Sequence, residues 1–129
     1  MKKQLLRALC LPLICSIAFA NDGNFTNSYD KALKYYQAKD FKNAFELLNS
    51  LWEQAPENEE LNFHLGRSAL ELKKYDEAAA AFDRVLISNQ NHSRTRLEMA
   101  RIYFETGQLK AANRELDAID DKNLPLTAR

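Results

Sequence analysis

The stretch KYDEAAAAFDRVL, residues 74–86, sets four alanines in a row between a charged start and an apolar end. Alanine is the strongest helix former, so the stretch predicts a helix. Propensity does not explain why a segment with an apolar stripe forgoes large side chains in its middle. Something must approach closely there, and the identity of that neighbour decides the architecture.

A shift of the sequence by 34 residues supplies the neighbour, because segments 25–58, 59–92 and 93–126 come into register. Ala44, Ala78 and Ala112 coincide, as do Phe41, Tyr75 and Leu109 three residues earlier. Leu48, Phe82 and Leu116 share one column; Leu51, Val85 and Ile119 share another. In the first half of each segment Ala32, Gly66 and Ala100 align, followed three places on by Tyr35, Ala69 and Tyr103. Repetition at this period marks a stacked array, in which each unit buries its apolar face against its neighbours.

Turn-forming residues fall mid-unit at AKDF, LKKY and TGQL, and between units at APEN, SNQNHS and KNLP. Each unit therefore reads as two helices. Asn58 ahead of Glu59 and Glu60 suits a helix start, and Asp76 and Glu77 do the same for the alanine helix. The alanines now have a purpose: two helix backbones cross closely only where small residues meet. Gly66 and Ala78 form such a pair, repeated by Ala32 with Ala44 and by Ala100 with Ala112. Ala79 is expected to face the following unit, while Ala80 and Ala81 are expected only to favour the helix.

These residues carry a resemblance. A 34-residue helix-turn-helix unit with Leu65-Gly66 early, then Ala78 and Phe82, and Pro56 near a unit's end resembles the tetratricopeptide repeat family over residues 25–126. Two departures stand out: the family's early tryptophan is absent, and Pro125 falls one place late. The resemblance implies an all-α fold of three tandem helix-turn-helix units in a short right-handed superhelical solenoid. It also implies a non-catalytic scaffold that binds a protein or peptide. Residues 92–129 are further similar to the end of the periplasmic repeat region of surface lipoprotein assembly modifiers. In that family the repeats precede an outer-membrane barrel that helps lipoproteins reach the cell surface; no barrel-like run of alternating strands is present here.

A repeat array needs polar ends to avoid sticky faces. Lys31 and Lys34 stand where later units have Leu65 and Ser68, or Met99 and Ile102. At the other end Asn113 and Asp120 replace Phe45 and Trp52, or Ala79 and Leu86. Both ends are therefore expected to be finished. The family's extra solvating helix has LPLTAR in its place, either a short capping tail or the cut start of a longer continuation.

The first twenty residues stand apart from the array. Lys2, Lys3 and Arg7 precede an apolar run from Ala8 to Ala18, then Ala18-Phe19-Ala20 offers an A-x-A cleavage site. That is the pattern of a secretory signal peptide, and the run is shorter than the ~20 residues that span a bilayer. The expected organisation is a signal peptide at 1–20, a flexible mature start at 21–24, the array at 25–126 and a tail at 127–129, located in the periplasm. Leu9 and Ile14, which immediately precede Cys10 and Cys15, are not small, which speaks against lipidation. Cleavage would leave 15 Lys and Arg against 18 Asp and Glu, a balance that does not favour nucleic acid. It would also remove both cysteines, and with them any disulfide, thiolate catalyst or cysteine metal site.

In the family the first helices line a concave groove. By register these positions are Tyr29, Leu33 and Tyr36 in unit 1, Phe63, Arg67 and Leu70 in unit 2, and Leu97, Arg101 and Phe104 in unit 3. Each trio is spaced i, i+4, i+7 and so shares one helical face. Aromatic anchors with arginines between them suit an extended or helical peptide. The lysines and asparagines with which chaperone-binding relatives hold a C-terminal carboxylate are not seen here.

Catalytic signals are weak. His64, near the groove, and His92, in the turn before unit 3, lie 28 residues apart, have no cysteine partner and read as ordinary surface histidines. Asp117, Asp120 and Asp121 lack metal-ligand spacing, and Gly23, Gly66 and Gly107 are isolated, so no phosphate loop exists. Neither catalytic residues nor a cofactor or metal site is expected. One small motif, Asp22 to Thr26 around Asn24, resembles a bacterial N-glycosylation acceptor in a flexible segment.

Overall fold

The computed structural model describes residues 13–119, with side chains from Gly23 onward. The basic residues and Cys10 of the expected signal peptide lie outside the described residues, as do Asp120, Asp121 and the tail. Six helices and no strands make up the described chain: α1 (Leu13–Gln37), α2 (Phe41–Trp52), α3 (Glu59–Glu71), α4 (Tyr75–Ser88), α5 (Ser93–Glu105) and α6 (Leu109–Asp117). The starts of α2, α4 and α6 are 34 residues apart, as are those of α3 and α5. The array is all-α, built from three helical hairpins.

Each hairpin turns through the same local device. Lys39, Lys73 and Gly107 occupy one repeat column and adopt left-handed φ values of 60°, 59° and 78°. The next residue's amide reaches back five places: Asp40 N–H donates to the Tyr35 carbonyl, Lys74 to Ala69 and Gln108 to Tyr103. These are Schellman-type closures, which satisfy carbonyls left open at a helix end. The following helices are capped unequally. Asp40 accepts from Asn43 N–H at 3.3 Å and Asn58 from Leu61 N–H at 2.9 Å. His92 Nδ1 caps α5, accepting from Thr95 N–H at 3.1 Å, while α4 and α6 start without a side-chain cap.

The small-residue columns sit at the crossings: Ala32, Ala44, Ala78, Ala100 and Ala112 are all buried. Gly66 answers to a different neighbour than expected. A methyl group there would lie 2.5 Å from the nearest carbon of the Phe82 ring, so it is the ring of Phe82, rather than Ala78, that fills the space. Units 1 and 3 solve the same crossing the other way, pairing Ala32 or Ala100 with the smaller Leu48 or Leu116. Ala81 also departs from expectation. It is fully buried and packs with Leu48, Leu51, Leu61 and Leu65, because it lies three residues beyond Ala78 on the inward face. Ala80 is exposed and Ala79 packs against the cluster that holds Met99 and Ile102, as the register predicts.

Polar groups pin the junction between units 1 and 2. The buried Asn62 amide donates to the carbonyls of Pro56 (2.8 Å) and Asn58 (2.9 Å), and its oxygen accepts from Arg84 Nε at 2.7 Å. Arg84 also lies over the Trp52 ring, 4.9 Å from its centroid. Burial of a polar side chain is tolerable here because each of its groups is paired.

Three further expectations change. α1 continues through residues 21–24, which were expected to be flexible, even though Asn21, Asp22, Gly23 and Asn24 are residue types that commonly end or start helices. Asn24 accordingly lies on a helix rather than in a loop. The N-terminal end is polar, with Lys31 and Lys34 exposed, but among the described residues the face of α5 and α6 keeps Leu97, Phe104, Leu109 and Leu116 exposed beside Asn113, and Asp120 lies outside them. One polar substitution on α6 leaves the apolar columns around it intact. Among the described residues no helix is long and apolar enough to cross a membrane.

Candidate functional site

The nine groove positions fall into three environments. Tyr29, Leu33 and Tyr36 on α1 are half-buried. On α3, Phe63 and Leu70 are 2% and 1% exposed and belong to the core with Met99 and Ile102 of α5. They hold the stack together and offer no surface to a ligand; only Arg67 of that trio reaches solvent. On α5, Leu97 and Phe104 are 38% and 68% exposed, and Arg101 is exposed between them. The sequence columns are equivalent, but α5 covers α3 and no described helix covers α5.

The accessible centre of the face is an aromatic and ionic cluster around His64, which the repeat register places near the groove but which was expected to be an ordinary surface histidine. His64 lies between Tyr29 and Tyr36, at ring-centroid distances of 6.1 and 6.2 Å, with Phe63 at 5.7 Å behind it. Its Nε2 is 3.7 Å from Glu60 Oε2, and its Nδ1 is buried without a hydrogen-bond partner. Burial, opposed by Glu60, holds its pKa below the ordinary histidine value. Burial likewise pushes the Tyr29 phenol up to about 12, with Glu60 and Asp30 adding to the effect. His64 is thus a packed histidine, not an ordinary surface one. His92 is a helix cap with its ring against Phe63 at 5.3 Å.

The arginines are already engaged. Arg67 lies 5.1 Å from the Tyr36 ring centroid, and its Nε is 3.4 Å from Glu98 Oε1. Arg101 donates from Nη1 to Glu71 at 2.9 Å and from Nε to Glu105 at 2.8 Å, while the Tyr75 hydroxyl donates to the other Glu105 oxygen at 2.9 Å. Those hydrogen bonds, first the one to Glu71, raise the Arg101 pKa and keep the guanidinium charged. Burial raises the pKa of Glu98, against the pull of Arg67 and Arg101. Carboxylates of this chain therefore already pair with both guanidinium groups. Among the described residues no group of three or more His, Cys, Asp or Glu is placed to hold a metal ion.

Known structures share this architecture. A mutant form of MamA superposes with a TM-score of 0.71 at 25% identity, covering 74% of this chain and 69% of that one. The Yersinia enterocolitica type III secretion chaperone SycD, solved with a peptide of the translocator YopD, gives 0.72 at 18% identity over 78% of this chain and 80% of that one. PcrH, solved with the chaperone binding region of PopD, gives 0.72 at 18% identity over 75% and 73%. A search of curated proteins gives no match. The tetratricopeptide repeat model matches residues 35–95 and 69–125, more than half of the sequence, and the chain belongs to the tetratricopeptide repeat family.

Proposed function

We propose that the array is a non-catalytic protein-binding scaffold whose concave face receives an extended or helical peptide. The observation that carries this is the half-buried set Tyr29, Tyr36, His64 and Arg67, which gathers aromatic rings and a guanidinium on one accessible face. Tyrosine and arginine are the residue types that anchor interfaces, since each gives large contact area at modest entropic cost. The peptide complexes of SycD and PcrH support the reading, as proteins of the same fold. Leu33, Leu97, Arg101 and Phe104 extend the face along the stack; Phe63 and Leu70 support it from beneath.

The chain is further proposed to be exported, on the strength of residues 1–20, with its partner in the periplasm. Mass spectrometry of the exported protein should then give a chain starting at Asn21 and lacking thiols; retention of residues 1–20 or a lipid on Cys15 would contradict it. Function is tested by affinity capture with the wild type, a Tyr29→Ala/Tyr36→Ala variant and a Glu46→Ala control on exposed α2 surface. The partner should be held by wild type and control and released by the double variant, with helical circular dichroism unchanged. Equal capture by all three would remove the concave face from consideration.

A further inference from the structure

The arginines of α3, α4 and α5 have acceptors, with one exception. Arg67 meets Glu98, Arg84 donates to Asn62, Arg96 donates to Glu115 at 2.9 Å, and Arg101 donates to Glu71 and Glu105. Arg94 is exposed and makes no hydrogen bond or ion pair among the described residues. Glu98, one turn further along α5, is directed to Arg67 at 3.4 Å and to Arg101 at 4.0 Å. Arg94 is nonetheless held in place. Its guanidinium carbon lies over the Phe63 ring, 4.5 Å from the centroid. Phe63 is buried in the core between α3 and α5, so the guanidinium rests on a fixed floor. A guanidinium resting on a ring keeps its in-plane N–H donors for other partners, and that edge matches a carboxylate with two parallel hydrogen bonds.

The direction of Arg94 follows from the helix. Arg96, two positions on and about 200° round α5, turns to Glu115 of α6, so Arg94 faces away from α6 and toward α3. That is the side of Tyr29, Tyr36 and His64, and His64 packs on the same Phe63 ring at 5.7 Å. The column of Arg94 holds Thr26 in unit 1 and Glu60 in unit 2, so this positive charge belongs to unit 3 alone.

We propose that Arg94 receives an aspartate or glutamate side chain of the bound peptide, while aromatic or apolar residues of the same peptide lie on Tyr29 and Tyr36. The assignment rests on the protein-binding reading of the concave face and deepens it, giving the ligand a charge and a direction across the helices. An exposed ion pair adds little when two free side chains must be ordered to make it. Here one partner is already ordered by Phe63, which lowers that cost.

The test pans the purified protein against a phage-displayed random dodecapeptide library whose members have no free C-terminus. Wild type should enrich peptides with Asp or Glu at a fixed spacing from an aromatic or apolar residue, and Arg94→Glu should enrich Lys or Arg there instead. A synthetic consensus peptide, amidated and fluorescein-labelled, is then titrated by anisotropy. Replacing its acid by the amide should weaken binding about threefold or more with wild type and change nothing with Arg94→Ala. That contrast is read on the peptide, so it holds even where the protein variant is less stable. Peptides that need Tyr29 and Tyr36 but share no acid would overturn the assignment and leave the concave-face reading standing. An acid whose removal costs as much with Arg94→Ala as with wild type would do the same, as would enrichment confined to a library with free C-termini. Peptides held equally by wild type and Tyr29→Ala/Tyr36→Ala would sink the concave-face reading, and no enrichment at all would overturn both. Higher affinity after deletion of residues 120–129 would overturn the assignment in favour of the chain's own Asp120 and Asp121.

Discussion

Phe63 and Leu97 stand in the same column of units 2 and 3, and Leu70 and Phe104 in another, yet the first of each pair is buried and the second exposed. Phe82 and Leu116 repeat the contrast on the second helices. The side chains are similar in size and apolarity, so the difference is made by what lies next in the stack. In a repeat array, burial belongs to the junction and not to the residue. Unit 2 is a core element because units 1 and 3 flank it; unit 3 leaves the same columns exposed because no further described helix lies on them.

The largest expected effect tests that contrast directly. Phe82→Ala removes a fully buried ring that contacts Gly66 and Phe63 and should cost ~3–5 kcal/mol in urea unfolding. Leu116→Ala, in the same column, should cost less than about 1.5 kcal/mol, because much of its surface is already in water. Similar losses at the two sites would show that unit 3 is covered in solution.

A smaller effect, ~1–3 kcal/mol, is expected for Gly66→Ala, whose new methyl group must push the Phe82 ring aside. The comparison with Ala100 and Leu116 predicts its remedy. Gly66→Ala with Phe82→Leu recreates the pairing of unit 3 and should recover part of the loss, giving a coupling energy of ~0.5–3 kcal/mol in a double-mutant cycle. Strict additivity would mean that the two columns do not compensate.

The repeat, the hairpins, the cap at Asn58 and the buried alanine columns were legible because they depend on spacing within one or two units. What could not be read depended on a third element. Phe63 and Leu70 looked like groove residues because their helical face was correct; only the position of α5 over them decides burial. Ala81 looked idle because the Leu61–Leu65 stripe that covers it belongs to another helix. Arg67 and Arg101 looked available because Glu98 and Glu71, their partners, lie on neighbouring helices. Arg84 is tied into the junction by Asn62 and Trp52, residues of two other helices.

His64 separates the packed part of the concave face from its exposed part through pH. Its folded pKa lies below the ordinary 6.5, chiefly through burial, so the unfolded chain binds a proton more readily. The stability this gives is complete above pH 6.5 and is lost as pH falls through the folded value. Glu98 has the opposite sign: its folded pKa lies above the ordinary 4.5, so its term fades as pH rises from there. Urea midpoints should therefore fall more between pH 7.5 and 5.5 in wild type than in His64→Gln. Parallel profiles would mean that the imidazole is solvated.

The smallest effect concerns the turns, where the three units differ in one residue. Gly107 takes its left-handed φ of 78° freely, while Lys39 and Lys73 adopt 60° and 59° with a Cβ in place. The conformation is imposed by the closing bonds, Lys73 N–H to the Leu70 carbonyl and Lys74 N–H to the Ala69 carbonyl, at 2.9 Å each. A side chain in this region is strained against the following carbonyl, by ~1–2 kcal/mol. Glycine relieves that strain but makes the unfolded chain more flexible, offsetting about 0.4–1 kcal/mol of the gain. Lys73→Gly should therefore raise stability by a few tenths of a kcal/mol to about 1 kcal/mol, and Gly107→Lys should lower it by a similar amount. Lys73 is exposed and free of any ion pair among the described contacts, so charge removal adds little. Thermal melts of the two variants moving in opposite directions would show that all three hairpins close by one backbone device. A loss of stability in Lys73→Gly would mean that its side chain contributes more than its strained φ costs.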